Sequence, residues 1–173
     1  MVAAWYVETM AQRLKDRIDY AQLWEFLTNQ YLLGRRSVHG PTHWRRVEEF
    51  GLKVAEQSGA DVTVVRLFAV FHDSCRENEG HDPQHGPRAA KFATRLHGTH
   101  FDLDDARFAL LTEACMHHTF GRVHRDATIG TCWDADRLDL PRVGVFPARE
   151  LMSTAAGKDE KIITWALNVP RER

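Results

Sequence analysis

The sequence contains little cysteine, carries almost no net charge and lacks a long apolar run. Its 173 residues include only three cysteines, Cys75, Cys115 and Cys132, and none of them forms a CxxC pair. This excludes a zinc ribbon and gives no disulfide framework. The formal net charge of −1 provides no global attraction to nucleic acid or to an anionic membrane. A basic stripe with interleaved aromatic residues is also missing, so nucleic-acid binding is not predicted.

Targeting features are missing as well. Residues 1–10 include Glu8 and lack the basic region and the apolar region of a secretion signal. No stretch approaches the roughly 18 uncharged apolar residues that a membrane span requires. We therefore expect a cytoplasmic protein without membrane contact, in which the thiols are reduced and serve as small core residues.

Apolar residues recur at three- and four-residue steps along nearly the whole chain, which predicts an all-α fold. The chain length predicts one domain. Gly40-Pro41 is expected to open a helix that ends near Gly59, and Asp61 is expected to cap the next one. The other predicted helices cover 5–33, 84 or 88 to 96, 102 or 104 to 118, 129–140, and two shorter segments that begin at 147 and 158.

The apolar run from Val62 to Phe71 is rich in β-branched residues and could form a buried strand. However, no second run alternates with a period of two residues, so a partner strand is missing. We therefore predict a buried helix for this run. The segment from Ser74 to Pro87 is polar and rich in glycine and proline, which predicts a loop.

His72 and Asp73 end this apolar run and are the most informative residues of the chain. A carboxylate is rarely buried unless it is paired or bound to a metal. With ten histidines and three cysteines, the chain favours a metal site of nitrogen and oxygen ligands over one of thiolates. Further potential ligands lie on both sides of the doublet, namely His43, His85, His118 and Asp136.

Three elements, taken in order, resemble the HD-domain metal-dependent phosphohydrolases. They are His43 in His-Trp-Arg-Arg-Val, the doublet His72–Asp73, and Asp136 in Asp-Ala-Asp-Arg-Leu. The resemblance covers about residues 38–140. It implies a compact helical bundle of the HD-domain type over residues 1–173, with the predicted helices 5–33 and 147–168 packed on the core that carries the motifs.

Some branches of this family hold two metals through two further histidines. Gln84-His85-Gly86 resembles the first of these, and the sequence that starts His118-Thr119 resembles the second. The resemblance then implies one ion held by His43, His72, Asp73 and Asp136, and a second held by His85 and His118 with Asp73 as the bridge. We expect one or two divalent transition metal ions, and Fe, Mn, Zn or Ni suits so many histidines better than magnesium does.

The sequence leaves alternatives for three of these ligands. They are His81 for His85, His117 for His118 and Asp134 for Asp136. The glycine contexts favour His85 and His118, and the Ala-Asp-Arg-Leu match favours Asp136. If His85 pointed outward, the protein would be a one-metal variant in which Glu77 or Asp82 supports the water. His39 is predicted to lie behind the ligands or on the surface.

The resemblance implies hydrolysis of a small phosphorylated metabolite or nucleotide, either a phosphomonoester or a phosphodiester, by a metal-activated water. Asp73, Arg76 and Glu77 are the predicted catalytic residues, and Arg76 and Arg122 are the predicted cations for phosphate oxygens. Two alternatives come from other classes: a di-iron oxygenase on the same ligands, and a non-catalytic module that binds nucleotides or signals. The N-terminal helix could also supply a homodimer contact.

Overall fold

Seven α-helices form most of residues 18–171, which are the residues that this computed structural model describes. They are α1 (Tyr20–Gln30), α2 (Pro41–Ser58), α3 (Val62–Phe71), α4 (His85–Leu96), α5 (Asp105–His117), α6 (Ala127–Leu138) and α7 (Glu160–Asn168). Two 3-10 helices cover Leu140–Val143 and Arg149–Leu151. Between residues 18 and 171 there is no strand, and only isolated bridges join Phe101 to Ile18 and His97. The predicted all-α fold is confirmed.

Local chemistry sets several helix ends where the sequence predicted them. Pro41 opens α2, and Gly59 ends it in the left-handed conformation with φ of 72°. The Asp61 carboxylate accepts a hydrogen bond of 3.0 Å from the backbone N–H of Val64 and so starts α3. Asp104 caps α5 in the same way, which decides between the two predicted starts.

The helix predicted over residues 5–33 is confirmed over residues 20–30, but it is shorter than predicted at both ends of the part that the structure describes. Asp19 has extended backbone, and its carboxylate accepts from the N–H of Gln22 at 3.0 Å, so α1 begins only at Tyr20. The helix ends at Gln30, because the extended Tyr31 packs its ring against Trp44 and hydrogen-bonds Ser37 through its hydroxyl. Residues 5–17 of the prediction lie outside the described residues.

Helix α3 is the centre of the fold and is buried along most of its length. It packs against α2, α5 and α6, and it buries Val64, Val65, Leu67, Phe68, Ala69, Val70 and Phe71. A helix that is buried over most of its surface needs only a narrow polar face, and here Val62, Thr63 and Arg66 are the residues that are not buried. The predicted buried helix is confirmed, and its C-terminal end delivers His72 and Asp73 to the interior.

The helices around α3 form two packed groups. Helices α2 and α6 lie together, and so do α4 and α5. The loop that joins α3 to α4 extends from His72 to Gln84, three residues short of the predicted end. Within residues 18–171, none of the helices is both long enough and apolar enough to cross a bilayer.

Candidate metal centre

The six predicted ligands come from five helix ends and meet in one place. His43 lies in the first turn of α2, and His72 and Asp73 directly follow α3. His85 opens α4, His118 follows the last residue of α5, and Asp136 lies in the last turn of α6. Two overlapping groups have ligand atoms within 4.8 Å of one another: His43, His72 and Asp73, and then Asp73, His85 and His118.

Each of the four histidines is held in one tautomer through its Nδ1 atom. His72 Nδ1 lies 3.0 Å from the carbonyl oxygen of Ala69, and His43 Nδ1 lies 2.7 Å from Asp139 Oδ2. A carbonyl or carboxylate oxygen accepts, so these Nδ1 atoms carry the proton. His118 Nδ1 contacts the carbonyl of Cys115 at 2.8 Å, and His85 Nδ1 contacts the carbonyl of Asp82.

The Nε2 atoms of these rings therefore present lone pairs, and they point at each other in two pairs. The separation is 3.0 Å between His43 and His72 and 2.8 Å between His85 and His118. Two facing lone pairs repel unless a cation lies between them. Two nitrogens bound to one ion at about 2.1 Å would lie roughly 3 to 3.5 Å apart, so each pair is close to the spacing at which it could hold a transition metal ion.

Asp73 connects the two histidine pairs through its two carboxylate oxygens. Oδ2 lies 3.6 Å from His43 Nε2 and 3.8 Å from His72 Nε2. Oδ1 lies 3.1 Å from His85 Nε2 and 3.7 Å from His118 Nε2. One oxygen thus faces each pair, which is the arrangement that a bridging carboxylate needs.

Asp136 belongs to the first pair alone. Its Oδ1 atom lies 3.4 Å from His43 Nε2 and 3.8 Å from His72 Nε2. Its side chain is 19% exposed, whereas that of Asp73 is 3% exposed. Asp136 therefore marks the side of the cluster that is open to solvent.

The three alternative ligands that the sequence left open, His81, His117 and Asp134, do not lie at the cluster. His81 and His117 are exposed, whereas His85 and His118 are buried. Asp134 is fully buried, but its carboxylate accepts from the backbone N–H groups of Ser153 and Thr154 at 2.6 and 2.8 Å. Asp134 therefore stabilises the loop before α7, and Asp136 is the aspartate that lies at the cluster.

Burial and neighbouring charges shift the pKa values of two of the ligand histidines in opposite directions. Burial lowers the pKa of His72 to about 3, so the ring is neutral and ready to bind a metal at neutral pH. Burial would also lower the pKa of His118, but its contact with Asp73 and the charge of Asp136 raise it above the usual value.

The carboxylates remain ionised although they are enclosed. Burial would raise the pKa of Asp73, but the neighbouring His72 and the contacts with His118, His39 and His85 outweigh it and hold that pKa well below its usual range. Burial would also raise the pKa of Asp136, but its contact with His43 and the neighbouring His72 outweigh this effect and lower that pKa. Both groups are therefore available as anionic ligands.

Asp139 supports the centre, although the sequence did not predict it. It is fully buried, and the carboxylate oxygen that does not face His43 accepts from Arg46 Nε at 2.8 Å and from Arg171 Nε at 3.2 Å. A carboxylate that holds the far nitrogen of a ligand histidine fixes the orientation of the ring and raises its basicity. No motif marks this role in the sequence, because Asp139 and His43 are 96 residues apart.

His39 and Arg142 also lie against Asp73. His39 is buried, which decides between its two predicted positions, and its Nδ1 atom lies 3.0 Å from Asp73 Oδ2. Arg142 Nη2 lies 3.2 Å from the same His39 nitrogen and 4.0 Å from Asp73 Oδ2, with the side chain 7% exposed. Arg142 is a cation at the centre that the sequence did not predict, because it follows α6 in a 3-10 helix with no motif of its own.

Three predicted catalytic or substrate-binding residues are not ligands, and the structure brings only one of them to the centre. Arg76 Nε donates to Asp73 Oδ1 at 3.0 Å, so this guanidinium does lie at the centre. Glu77 is not brought to the cluster, because its side chain is 61% exposed and pairs with Arg88 at 3.4 Å. Arg122 is exposed and has no side-chain partner among residues 18–171.

Comparison with known proteins supports the fold. No family model and no curated protein matches the chain. A crystal structure from an uncultured Thermotogales bacterium, described as a predicted HD superfamily hydrolase, superposes with a TM-score of 0.68. The two chains are 22% identical, and the match covers 87% of this chain and 86% of the other. The resemblance to the HD superfamily is thus confirmed for the fold, and the clustered ligands fit an HD-type metal site.

Proposed function

We propose that this protein is a metal-dependent phosphohydrolase that acts on a small phosphorylated metabolite or nucleotide. The observation that carries the proposal is the pairing of four histidine Nε2 atoms around the two oxygens of Asp73. Metal ions bound at these positions would activate a water near neutral pH and polarise a phosphoryl oxygen. The structural similarity to a protein described as an HD superfamily hydrolase supports the same class of reaction.

The side chains of the centre have different roles in this proposal. Asp73 fixes the spacing of the two ligand pairs, and Asp139 holds His43 so that its Nε2 atom stays free of a proton. Arg76 and Arg142 approach the two oxygens of Asp73 from separate sides. Their guanidinium groups are planar donors that suit phosphate oxygens, and they would offset the charge that develops during hydrolysis.

The overall charge of the centre fits an anionic substrate. Asp73 and Asp136 contribute two negative charges, and Arg76 and Arg142 contribute two positive charges next to them. Any divalent ion bound by the histidines would therefore leave the centre positively charged. A phosphate ester would be attracted to such a centre.

Hydrolysis can be tested with a panel of phosphomonoesters and phosphodiesters under argon, with Mn, Fe, Zn or Ni supplied after chelation. We expect metal-dependent turnover that is lost in Asp73→Asn. Asp134→Asn is the matched control, because it neutralises a buried carboxylate that faces away from the cluster, and it should retain turnover. Absence of turnover with every ester, on protein shown to hold metal, would refute the proposal.

A further inference from the structure

A basic cleft adjoins the metal centre on the side of the loop after α3. It has a volume of about 480 Å³, and its lining includes Ser74 and Arg76. Ser74 directly follows Asp73 in the chain, and Arg76 donates to Asp73 Oδ1 at 3.0 Å. Arg76 therefore contacts the centre and also lines the cleft.

The lining of the cleft has a strong excess of positive charge. It contains four cations, Arg76, Arg88, Lys91 and Arg95, and a single carboxylate, that of Glu77. Arg76 and Arg88 already have carboxylate partners. Lys91 and Arg95 are exposed, and neither has an ion-pair partner among residues 18–171. Two cations in this cleft are thus available to a ligand.

These cations follow one face of α4. Arg88, Lys91, Phe92 and Arg95 have the spacing i, i+3, i+4 and i+7, which places them in one stripe about 10 Å long. Since α4 begins at His85, the stripe leads away from the centre. The Arg95 guanidinium lies 5.1 Å from the centre of the Phe92 ring, which holds it over the stripe.

An ordinary solvated helix face has a different composition. Exposed cations on such a face commonly alternate with carboxylates three or four residues away. The sequence of α4, HGPRAAKFATRL, contains no aspartate or glutamate. Its cations therefore have no partner within their own helix, and they face a cleft beside the centre.

We propose that this cleft binds a second anionic group of the substrate, so that the substrate carries at least two phosphate or similar groups. One group would reach the metal centre past Arg76, and the other would contact Lys91 and Arg95. This inference rests on the proposed hydrolysis and specifies the substrate class.

The test compares adenosine 3′,5′-bisphosphate with the adenosine 3′- and 5′-monophosphates, which share its base and sugar. Binding to metal-loaded protein is measured by calorimetry, and turnover is measured in parallel. The variant Lys91→Gln/Arg95→Gln removes both available cations. Arg149→Gln/Lys161→Gln is the matched control, since these residues are also exposed, do not line the cleft, and change the charge equally.

We expect wild-type protein to bind the bisphosphate about tenfold more tightly than either monophosphate, since two exposed charge contacts together are worth a factor of that order. The cleft variant should lose this preference and keep its monophosphate affinity, whereas the control variant should keep both. Equal binding of all three nucleotides to wild type, or equal loss in both variants, would overturn the cleft proposal. If the bisphosphate preference is present but no ester is hydrolysed, the hydrolysis proposal fails and the cleft assignment stands.

Discussion

The replacement Asp139→Asn tests how the structure prepares His43 to bind metal. The Asp139 carboxylate is fully buried and contacts Arg46, Arg171 and His43. An asparagine would keep its oxygen toward the two arginines, because both can only donate. Its amide nitrogen would then donate to His43 Nδ1, which would move the ring proton to Nε2 and block the metal position.

The expected magnitudes follow from these contacts. Loss of a carboxylate that supports a ligand histidine typically lowers metal affinity by about 10- to 100-fold, and the forced change of tautomer favours the upper end. Removing one partner of a buried ion pair should also lower the free energy of unfolding by about 3 kcal/mol. Competition with a chelator measures the affinity, and urea denaturation of metal-free protein measures the stability.

Asp134→Asn separates the two effects. Asp134 lies in α6, which ends just before Asp139. It is equally buried and accepts hydrogen bonds from Ser153 and Thr154 without touching a site histidine. We expect this variant to lose stability while its metal affinity stays within about twofold of wild type, as for sites with no shared partner. If Asp139→Asn also kept wild-type metal affinity, Asp139 would have no role in orienting His43.

Two further predictions concern acidity and close packing. Burial lowers the pKa of His72 to about 3, whereas in the unfolded chain this residue takes up a proton near its ordinary pKa of 6.5. A falling pH therefore favours the unfolded chain, and metal-free protein should lose about 2 kcal/mol of its free energy of unfolding between pH 7 and 5 from this residue. His72→Asn should flatten the pH slope of urea denaturation by that amount, and an unchanged slope would contradict the pKa shift. A Cβ atom at Gly86 would lie 2.6 Å from the Cys115 carbonyl oxygen, so Gly86→Ala should cost about 1–3 kcal/mol and lower metal content. The control Gly80→Ala, which meets nothing closer than 3.5 Å, should cost little in the same thermal and metal assays.

The sequence predicted best what short-range chemistry determines. Pro41, Gly59 and Asp61 mark helix ends through contacts with their immediate neighbours, and α2 and α3 begin and end close to the predicted residues. The bounds of the N-terminal helix were wrong because its apolar periodicity runs through Asp19, whereas Asp19 has extended backbone and caps a helix that begins at Tyr20. Periodicity alone does not distinguish a continuous helix from one that starts at a cap.

The ligand positions had a chemical signature, but the groups that support them did not. Asp139 and His43 are 96 residues apart in sequence, and only the packing of α2 against α6 brings them to 2.7 Å. Arg142 follows α6 and reaches Asp73 because α6 also packs against α3. Glu77 shows the opposite error. Its position shortly after the His-Asp doublet suggested a catalytic role, but its exposed side chain pairs with Arg88.

The glycine beside His85 has a physical explanation that the motif alone did not provide. The first turn of α4 lies against the C-terminal end of α5, and only a glycine at position 86 leaves room for the Cys115 carbonyl. The same carbonyl accepts from His118 Nδ1. Gly86 thus allows the two helices to approach until His85 and His118 face each other.

The central claim is that the two histidine pairs each hold one metal ion on either side of Asp73. The most direct measurement is the number of metal equivalents per chain, by elemental analysis after loading and removal of excess metal. We predict two equivalents in wild-type protein and one in the double variant His85→Ala/His118→Ala. One equivalent in both proteins would contradict the two-ion centre.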